Sequence, residues 1–403
     1  MPGSSISSSD ALLLTPSRTR AAIASEATAT AVRRTRGAWT FVARASLLLV
    51  VAALPVAFSV WVDPARLVAP RSAEREIARV LASGGMVTDV PNYDDRAIEK
   101  FLAPLHAERA EVLMLGSSRM TPMPASAFPG KRFFNAAVQG ALLDDLLGIY
   151  GLYDAPGRRP NRVVVNVDPW TESYDGGIGG WGAVADERAM VMRRAGIPVS
   201  PWRERLALTA SKWRTLATPE YFRLAVFSFR HHGARGVVWR VADQAQNVDR
   251  TLLPNGTIVW KETTPALGAA AAHAFATQGL DDRFHDLAHR APGRADALER
   301  FVRYLNEEGV NVTVLLVPFP PEVYDTALRM KGRTIADVER DLRVTASRAG
   351  AQLIGSYDPR VAGVGMSDFF DEDHLRPEAL VRLMVSGSPR SGVTGGITDV
   401  HRR

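Results

Sequence analysis

The chain has 403 residues, a net charge of +6, 46% hydrophobic residues and no cysteine. That length and apolar content supply a sizeable core and exclude a wholly disordered protein, while the missing cysteine excludes disulfide staples, thiolate catalysis and cysteine-ligated metals. Six arginines against Asp10 and Glu26 place +4 of the charge within residues 1–44, so the remainder stands near neutrality at +2 and gives no electrostatic case for nucleic-acid binding.

In chain order, residues 1–36 are rich in Ser, Thr and Ala without apolar periodicity and are predicted to be a disordered cytoplasmic tail. Residues 37–62 are predicted to be a transmembrane anchor, because "ASLLLVVAALPVAFSVWV" (45–62) is eighteen uncharged residues flanked by Trp39 and Trp61. Arg33, Arg34, Arg36 and Arg44 precede it and mixed charges follow, so the positive-inside rule leaves the N-terminus in the cytoplasm. The expectation is a single-pass inner-membrane protein with its main domain outside. Ala57 and Ser59 also offer a small-residue cleavage site, but the 44-residue lead favours an uncleaved anchor over a signal peptide.

Residues 63–110 read as a helical connector, with apolar residues at helical spacing in "SAEREIARVLASGG" and "RAIEKFLAPL". The globular domain is expected over 111–385. Its predicted strands are "EVLML" (111–115), "RFFNAAV" (132–138), "RVVVNV" (162–167), "VTVLLV" (312–317) and "AQLIG" (351–355), and helical patterns fall at 141–153, 294–309 and 333–350. The alternation points to an α/β domain with a mainly parallel five-stranded sheet and helices on both faces. Residues 169–290 break the rhythm with Trp- and Arg-rich segments and a hairpin-like "TLLPNGTIVW" (251–260), so they are read as an insertion able to shape a cleft. For the tail, 386–403, the sequence supports no structural expectation.

Functional groups gather at the carboxyl ends of strands in an open α/β sheet. There lie Gly116-Ser117-Ser118-Arg119 after the first strand, Gln139-Gly140 after the second, Asn166 and Asp168 after the third, and Asp371 and His374 in "FFDEDHLRP" after the fifth. A serine, a histidine and a carboxylate can therefore meet on one edge, the combination that activates a hydroxyl nucleophile.

A Gly-x-Ser turn after the first strand, a glycine after the second and Asp-x-x-His near the C-terminus together resemble the SGNH (GDSL-type) hydrolase superfamily. With "GSSR", "FFNAAVQGALLDDLL", "VDPW" and an upstream anchor, the likeness is to its cell-envelope branch, proteins similar to those of teichoic-acid D-alanyl transfer and polysaccharide O-acetylation. It covers roughly residues 110–170 and 310–380.

The resemblance implies a flavodoxin-like three-layer α/β/α sandwich, Ser118 as nucleophile, His374 as general base and Asp371 as the carboxylate that orients it. It further implies an oxyanion hole from the backbone N–H of Ser118 and of Gly140 and the Asn166 side chain. Asn166-Val167-Asp168-Pro169 stands where the family has Gly-x-Asn-Asp, so the Asn166 register is displaced, and an inward Asp168 would repel an oxyanion. The implied activity is extracytoplasmic acyl transfer to an envelope or secreted polysaccharide, with a membrane-bound acyltransferase as companion. A plain carboxylesterase and a non-catalytic scaffold of an envelope complex are the rival readings.

Arg119 is a candidate contact for a substrate carboxylate or phosphate, or else a partner of Asp144 or Asp145. Asp282, His285, Asp286 and His289 fall on one predicted helical face with metal-ligand chemistry. A solvated amphipathic face accounts for them as well, so no metal and no other cofactor is expected. His231-His232, with Arg230, Arg235 and Trp239, could line a cleft for an acidic glycan or form a basic surface loop.

Overall fold

All five apolar runs become strands. The computed structural model describes residues 16–387 other than 65–66, 69–70, 91–92, 107–108, 172–179, 234–238, 244–249, 281–283, 285–292 and 331. Among these the strands in chain order are β1 (Met86–Thr88), β2 (Val112–Leu115), β3 (Phe133–Asn135), β4 (Arg162–Asn166), β5 (Arg240–Ala242), β6 (Arg250–Leu252), β7 (Ile258–Trp260), β8 (Asn311–Leu316) and β9 (Gln352–Gly355). Strands β3, β2, β4, β8 and β9 make one sheet in that order, parallel throughout.

The reason these runs lack alternation is visible in their burial. Leu113, Leu115, Val163, Val165, Val314 and Leu316 face one apolar cluster, shared with Leu146, Phe301 and Leu342 from the helices Leu143–Gly151, Arg294–Glu307 and Ile335–Ala349. Val112, Met114, Val164, Leu315 and Ile354 face the other, with Leu380 and Leu383 of the helix Pro377–Gly387. A strand covered on both faces has no solvent side on which to place polar residues. Strand β3 is shorter than expected, but the chain beyond it still leans on the sheet. The Ala136 N–H donates to Met114 O at 2.9 Å and the Val138 N–H to Gly116 O at 3.0 Å, which holds Gln139-Gly140 beside the turn after β2.

A second, antiparallel sheet runs β5, β1, β6, β7. Its strand β1 adds a strand to the stretch 63–110, expected as a helical connector. The helices Ser72–Ala82 and Asp95–Leu102 form there, but Met86–Thr88 pairs with β5 and β6 from far along the chain. Three residues are too few for periodicity to register, and only distant partners make them a strand. The predicted hairpin forms as β6 and β7. Its Gly256 (φ +80°) approaches β3 so closely that a Cβ would lie 1.9 Å from Asn135 O, and Asn135 N–H donates to Asn255 O at 2.8 Å.

One helix, Pro16–Val62, contains the apolar N-terminal stretch. Its portion Ala38–Val62 has 25 residues and is long and apolar enough to cross a membrane. The expected disordered tail is corrected over residues 16–36, which continue the same helix upstream; residues 1–15 lie outside the described residues. Ala- and Arg-rich sequence has high helix propensity, enough to carry the single Gly37 within the helix just before the span.

Candidate active site

At Leu115 β2 gives way to Gly116-Ser117, and the chain enters a single 3-10 turn, Ser118–Met120. Glycine is needed at 116, where a Cβ would fall 2.7 Å from Asn166 Cβ and 2.9 Å from Met120 Cγ. The two serines separate at once. Ser117 is 2% exposed and caps the turn, its Oγ accepting the Arg119 N–H at 3.2 Å. Ser118 is half-buried, the one residue of the "GSSRM" turn that keeps appreciable exposure.

His374 reaches this hydroxyl from the loop between the turn Met366–Asp368 and the helix Pro377–Gly387. Its Nε2 lies 3.0 Å from Ser118 Oγ, and its Nδ1 lies 2.9 Å from each oxygen of Asp371. The Asp-x-x-His spacing has a local cause. Asp371 Oδ1 accepts the backbone N–H of Asp373 at 3.1 Å and of His374 at 2.9 Å, an Asx-type turn that folds the carboxylate back onto the ring two to three residues on. A Phe369–Leu375 bridge closes the loop below. Serine, histidine and Asp371 thus stand in the order in which a hydroxyl proton can pass to an oriented imidazole.

A second carboxylate, which no spacing motif in the sequence marks, lies against the same ring. Asp373, 1% exposed, places Oδ1 2.9 Å from the same Nδ1. Burial alone would depress the imidazole, but the charge of Asp373 and the hydrogen bonding and charge of Asp371 outweigh it and push His374 up to about 10. The available signal was "DED" before the histidine, three acids of which only one fitted the motif. These groups, Asp371, Asp373 and His374, also bring one ligand atom each within 4.8 Å of one another, the spacing a small cation uses. Because Nε2 is committed to Ser118, an ion there would displace the Nδ1 proton that joins the imidazole to its carboxylates.

Beneath the turn lies a separate, sealed cluster. Arg119 has no exposed surface; it donates from Nη1 to Asp168 Oδ1 at 2.7 Å, from Nε to Asp373 O at 3.0 Å and from Nη2 to Val317 O at 2.9 Å, with its guanidinium 3.9 Å above the Phe319 ring. This corrects both sequence readings of Arg119. All three of its nitrogens are engaged inside the protein, and Asp144 and Asp145 instead pair with Arg188 and Arg294, and with Arg96. The same pairing answers the concern over Asp168, whose charge is met by Arg119 rather than aimed at a reacting carbonyl.

Asn166 is likewise drawn into the support. It is 1% exposed, and its amide accepts the Ser117 N–H at 3.3 Å and sets Nδ2 3.4 Å from Asp168 Oδ1. In the orientation that satisfies both ends of the amide, its nitrogen donates to Asp168 Oδ2 at 3.2 Å and its oxygen accepts the Val167 N–H at 3.3 Å in place of the Ser117 N–H. The expected Asn166 oxyanion donor is therefore corrected to a brace under the turn, as its displaced register suggested. Gly140, exposed at φ +57°, and Ser118 each present a backbone N–H with no acceptor among the described residues.

The stretch 169–290 supplies a further wall. Trp260, at the end of β7, lies 4.7 Å from the His374 ring at 34° and donates its indole N–H to Thr121 Oγ1 at 3.1 Å. Thr263 Oγ1 donates to Phe370 O at 2.5 Å and Arg376 Nη2 to Thr263 O at 2.7 Å, tying this segment to both sides of the histidine loop. Only the Asn-Gly turn signal in the sequence hinted at such a contact. Asp282, His285, Asp286, His289 and Arg235 lie outside the described residues, as does the tail beyond residue 387. His231 is exposed, its ring 4.4 Å from that of Phe227 and away from the serine turn in sequence and contacts. No family model matches the chain, and no curated protein matches it.

Proposed function

We propose that this protein is a membrane-anchored serine acyltransferase or esterase of SGNH type, acting on an envelope or secreted polysaccharide outside the cytoplasmic membrane. The observation that carries the reading is Ser118 Oγ at 3.0 Å from His374 Nε2 with Nδ1 bound to carboxylate on its other side. In this reading the domain is a flavodoxin-like three-layer sandwich, residues 169–290 are an inserted subdomain above the sheet edge, and the N-terminus is cytoplasmic.

Neutral His374 accepts the Ser118 proton as Oγ attacks an acyl carbonyl, and the oxyanion is received by the N–H groups of Ser118 and Gly140. The imidazolium, held by Asp371 and Asp373, returns the proton to the leaving oxygen and an acyl-serine remains. An acceptor hydroxyl then gives its proton to His374 and takes the acyl group, restoring Ser118. The anchor keeps the serine near membrane-bound donors, which favours transfer to a sugar over hydrolysis and suits a membrane-bound acyltransferase as companion. A non-catalytic scaffold is the second reading, favoured by Asn166 serving as a brace.

The test is labelling of the full chain, in detergent or nanodiscs, with a fluorophosphonate. Labelling that vanishes in Ser118→Ala and His374→Ala and persists in Ser117→Ala is expected. Absence of labelling in the wild-type chain across pH 7 to 10 favours the scaffold.

A further inference from the structure

The helices Pro201–Leu216 and Pro219–His232 have a surface that the acyl-transfer reading does not use. On the first, Trp202, Leu206, Thr209 and Trp213 follow one another at i, i+4, i+7 and i+11, a single stripe along one face. That stripe is turned to solvent: Trp202 is 66%, Leu206 64% and Trp213 52% exposed. On the second helix Leu224 and Phe227 are exposed while Tyr221, Ala225 and Ser228 are buried. An exposed stripe of this size on a soluble domain marks an interaction surface.

Two observations name the occupant. The first is charge: residues 201–232 carry Arg203, Arg205, Lys212, Arg214, Arg223 and Arg230 against only Glu204 and Glu220. On the first helix Arg203, Lys212 and Arg214 flank the apolar stripe, the arrangement of a helix that lies in a bilayer interface with basic residues toward anionic headgroups. The second is position. Both helices touch the apolar N-terminal helix, and the second does so at the last turn of that helix, where Phe58 meets Phe222 and Phe229 (5.7 Å each) and Trp61 meets Phe229 (5.2 Å). Asp63, the first residue past that helix, is buried and accepts the Tyr221 hydroxyl at 3.1 Å as well as the Leu67 and Val68 N–H groups at 2.7 and 2.8 Å. The pair is thus tied to the end of the span, at the depth where Trp and basic side chains are most stable in a bilayer.

We propose that the helices Pro201–Leu216 and Pro219–His232 form an interfacial foot that lies on the same bilayer Ala38–Val62 crosses and takes anionic phospholipid. The foot holds the domain at a fixed attitude to the membrane instead of leaving it on a free tether. This rests on Ala38–Val62 spanning the bilayer and is independent of whether Ser118 is reactive.

Because the chain has no cysteine, single labels can be placed at will. The full chain, reconstituted in phosphatidylcholine–phosphatidylglycerol vesicles, carries nitrobenzoxadiazole on Leu206→Cys or Phe227→Cys, with Arg329→Cys as an exposed reference and Leu48→Cys within the span. Expected are blue-shifted emission at 206 and 227, several-fold less iodide quenching than at 329, and quenching by lipids spin-labelled near the headgroup. Iodide access at 206 and 227 equal to that at 329 overturns the proposal. Shielding from iodide without quenching by the lipid label overturns it too, since a protein then covers the stripe. The label at 48, quenched by spin labels deep in the chains, tells a failed anchor from a failed foot.

Discussion

Ser118 and Arg119 are neighbours in the chain, yet their side chains enter two polar clusters of opposite kind. Ser118, with His374, Asp371 and Asp373, meets solvent at the sheet edge; Arg119, with Asp168 and Asn166, is sealed one layer below. The upper cluster can exchange protons, whereas the lower one is held by a buried ion pair whose members each satisfy the other. A 3-10 turn sends successive side chains about a third of a turn apart, so one short segment supplies both the hydroxyl that meets His374 and its foundation. Asp373 belongs to both, its side chain against the imidazole and its carbonyl accepting from Arg119.

The sharpest way to break this division is to remove a carboxylate from the upper cluster. Asp371→Asn is expected to lower the rate of fluorophosphonate labelling by up to about 10⁴-fold, as an amide there misorients the imidazole, with the denaturation midpoint nearly unchanged. A large loss of stability instead would make Asp371 part of the foundation.

Next in size is the lower cluster. Arg119→Met leaves Asp168 charged and buried without its partner, and urea denaturation is expected to report a loss of about 3–5 kcal/mol, most of it recovered in Arg119→Met/Asp168→Leu. If Arg119→Met folds with full stability but labels poorly, Arg119 works in the upper cluster after all.

The smallest effect is a shift in pH. With His374 raised to about 10, the neutral imidazole that accepts the serine proton is scarce at pH 7, so labelling should climb between pH 7 and 10. Asp373→Asn removes one of the charges responsible and should move that limb toward lower pH. The stability linked to this proton has the matching sign: it is fully present below the ordinary histidine value of 6.5 and lost as pH rises through about 10. A labelling profile flat from pH 6 to 10 in both chains would show that Asp373 does not govern the imidazole.

The sequence carried a good part of the fold and of the Ser118–His374 contact, for identifiable reasons. Strands buried on two faces announce themselves as unbroken apolar runs, and Gly350 ends its helix in the left-handed conformation (φ +75°) that glycine adopts at such ends. Asp-x-x-His works through a local turn, so its spacing could be read in one dimension. Strand β1, the buried Arg119 and the brace formed by Asn166 could not, because each depends on partners 49 or more residues away.

By itself, then, the amino-acid sequence determined what is local: the apolar helix fit to cross a membrane, the strand and helix periods, the glycine that lets the turn after β2 pass Asn166, and an Asp-x-x-His loop. Only the tertiary structure decided that a second carboxylate lies against the Nδ1 of His374, that Arg119 pairs inward, and that Trp260 reaches the imidazole. Those outcomes are set by burial and by the charge that burial forces into pairs, and neither exists until distant segments are packed together.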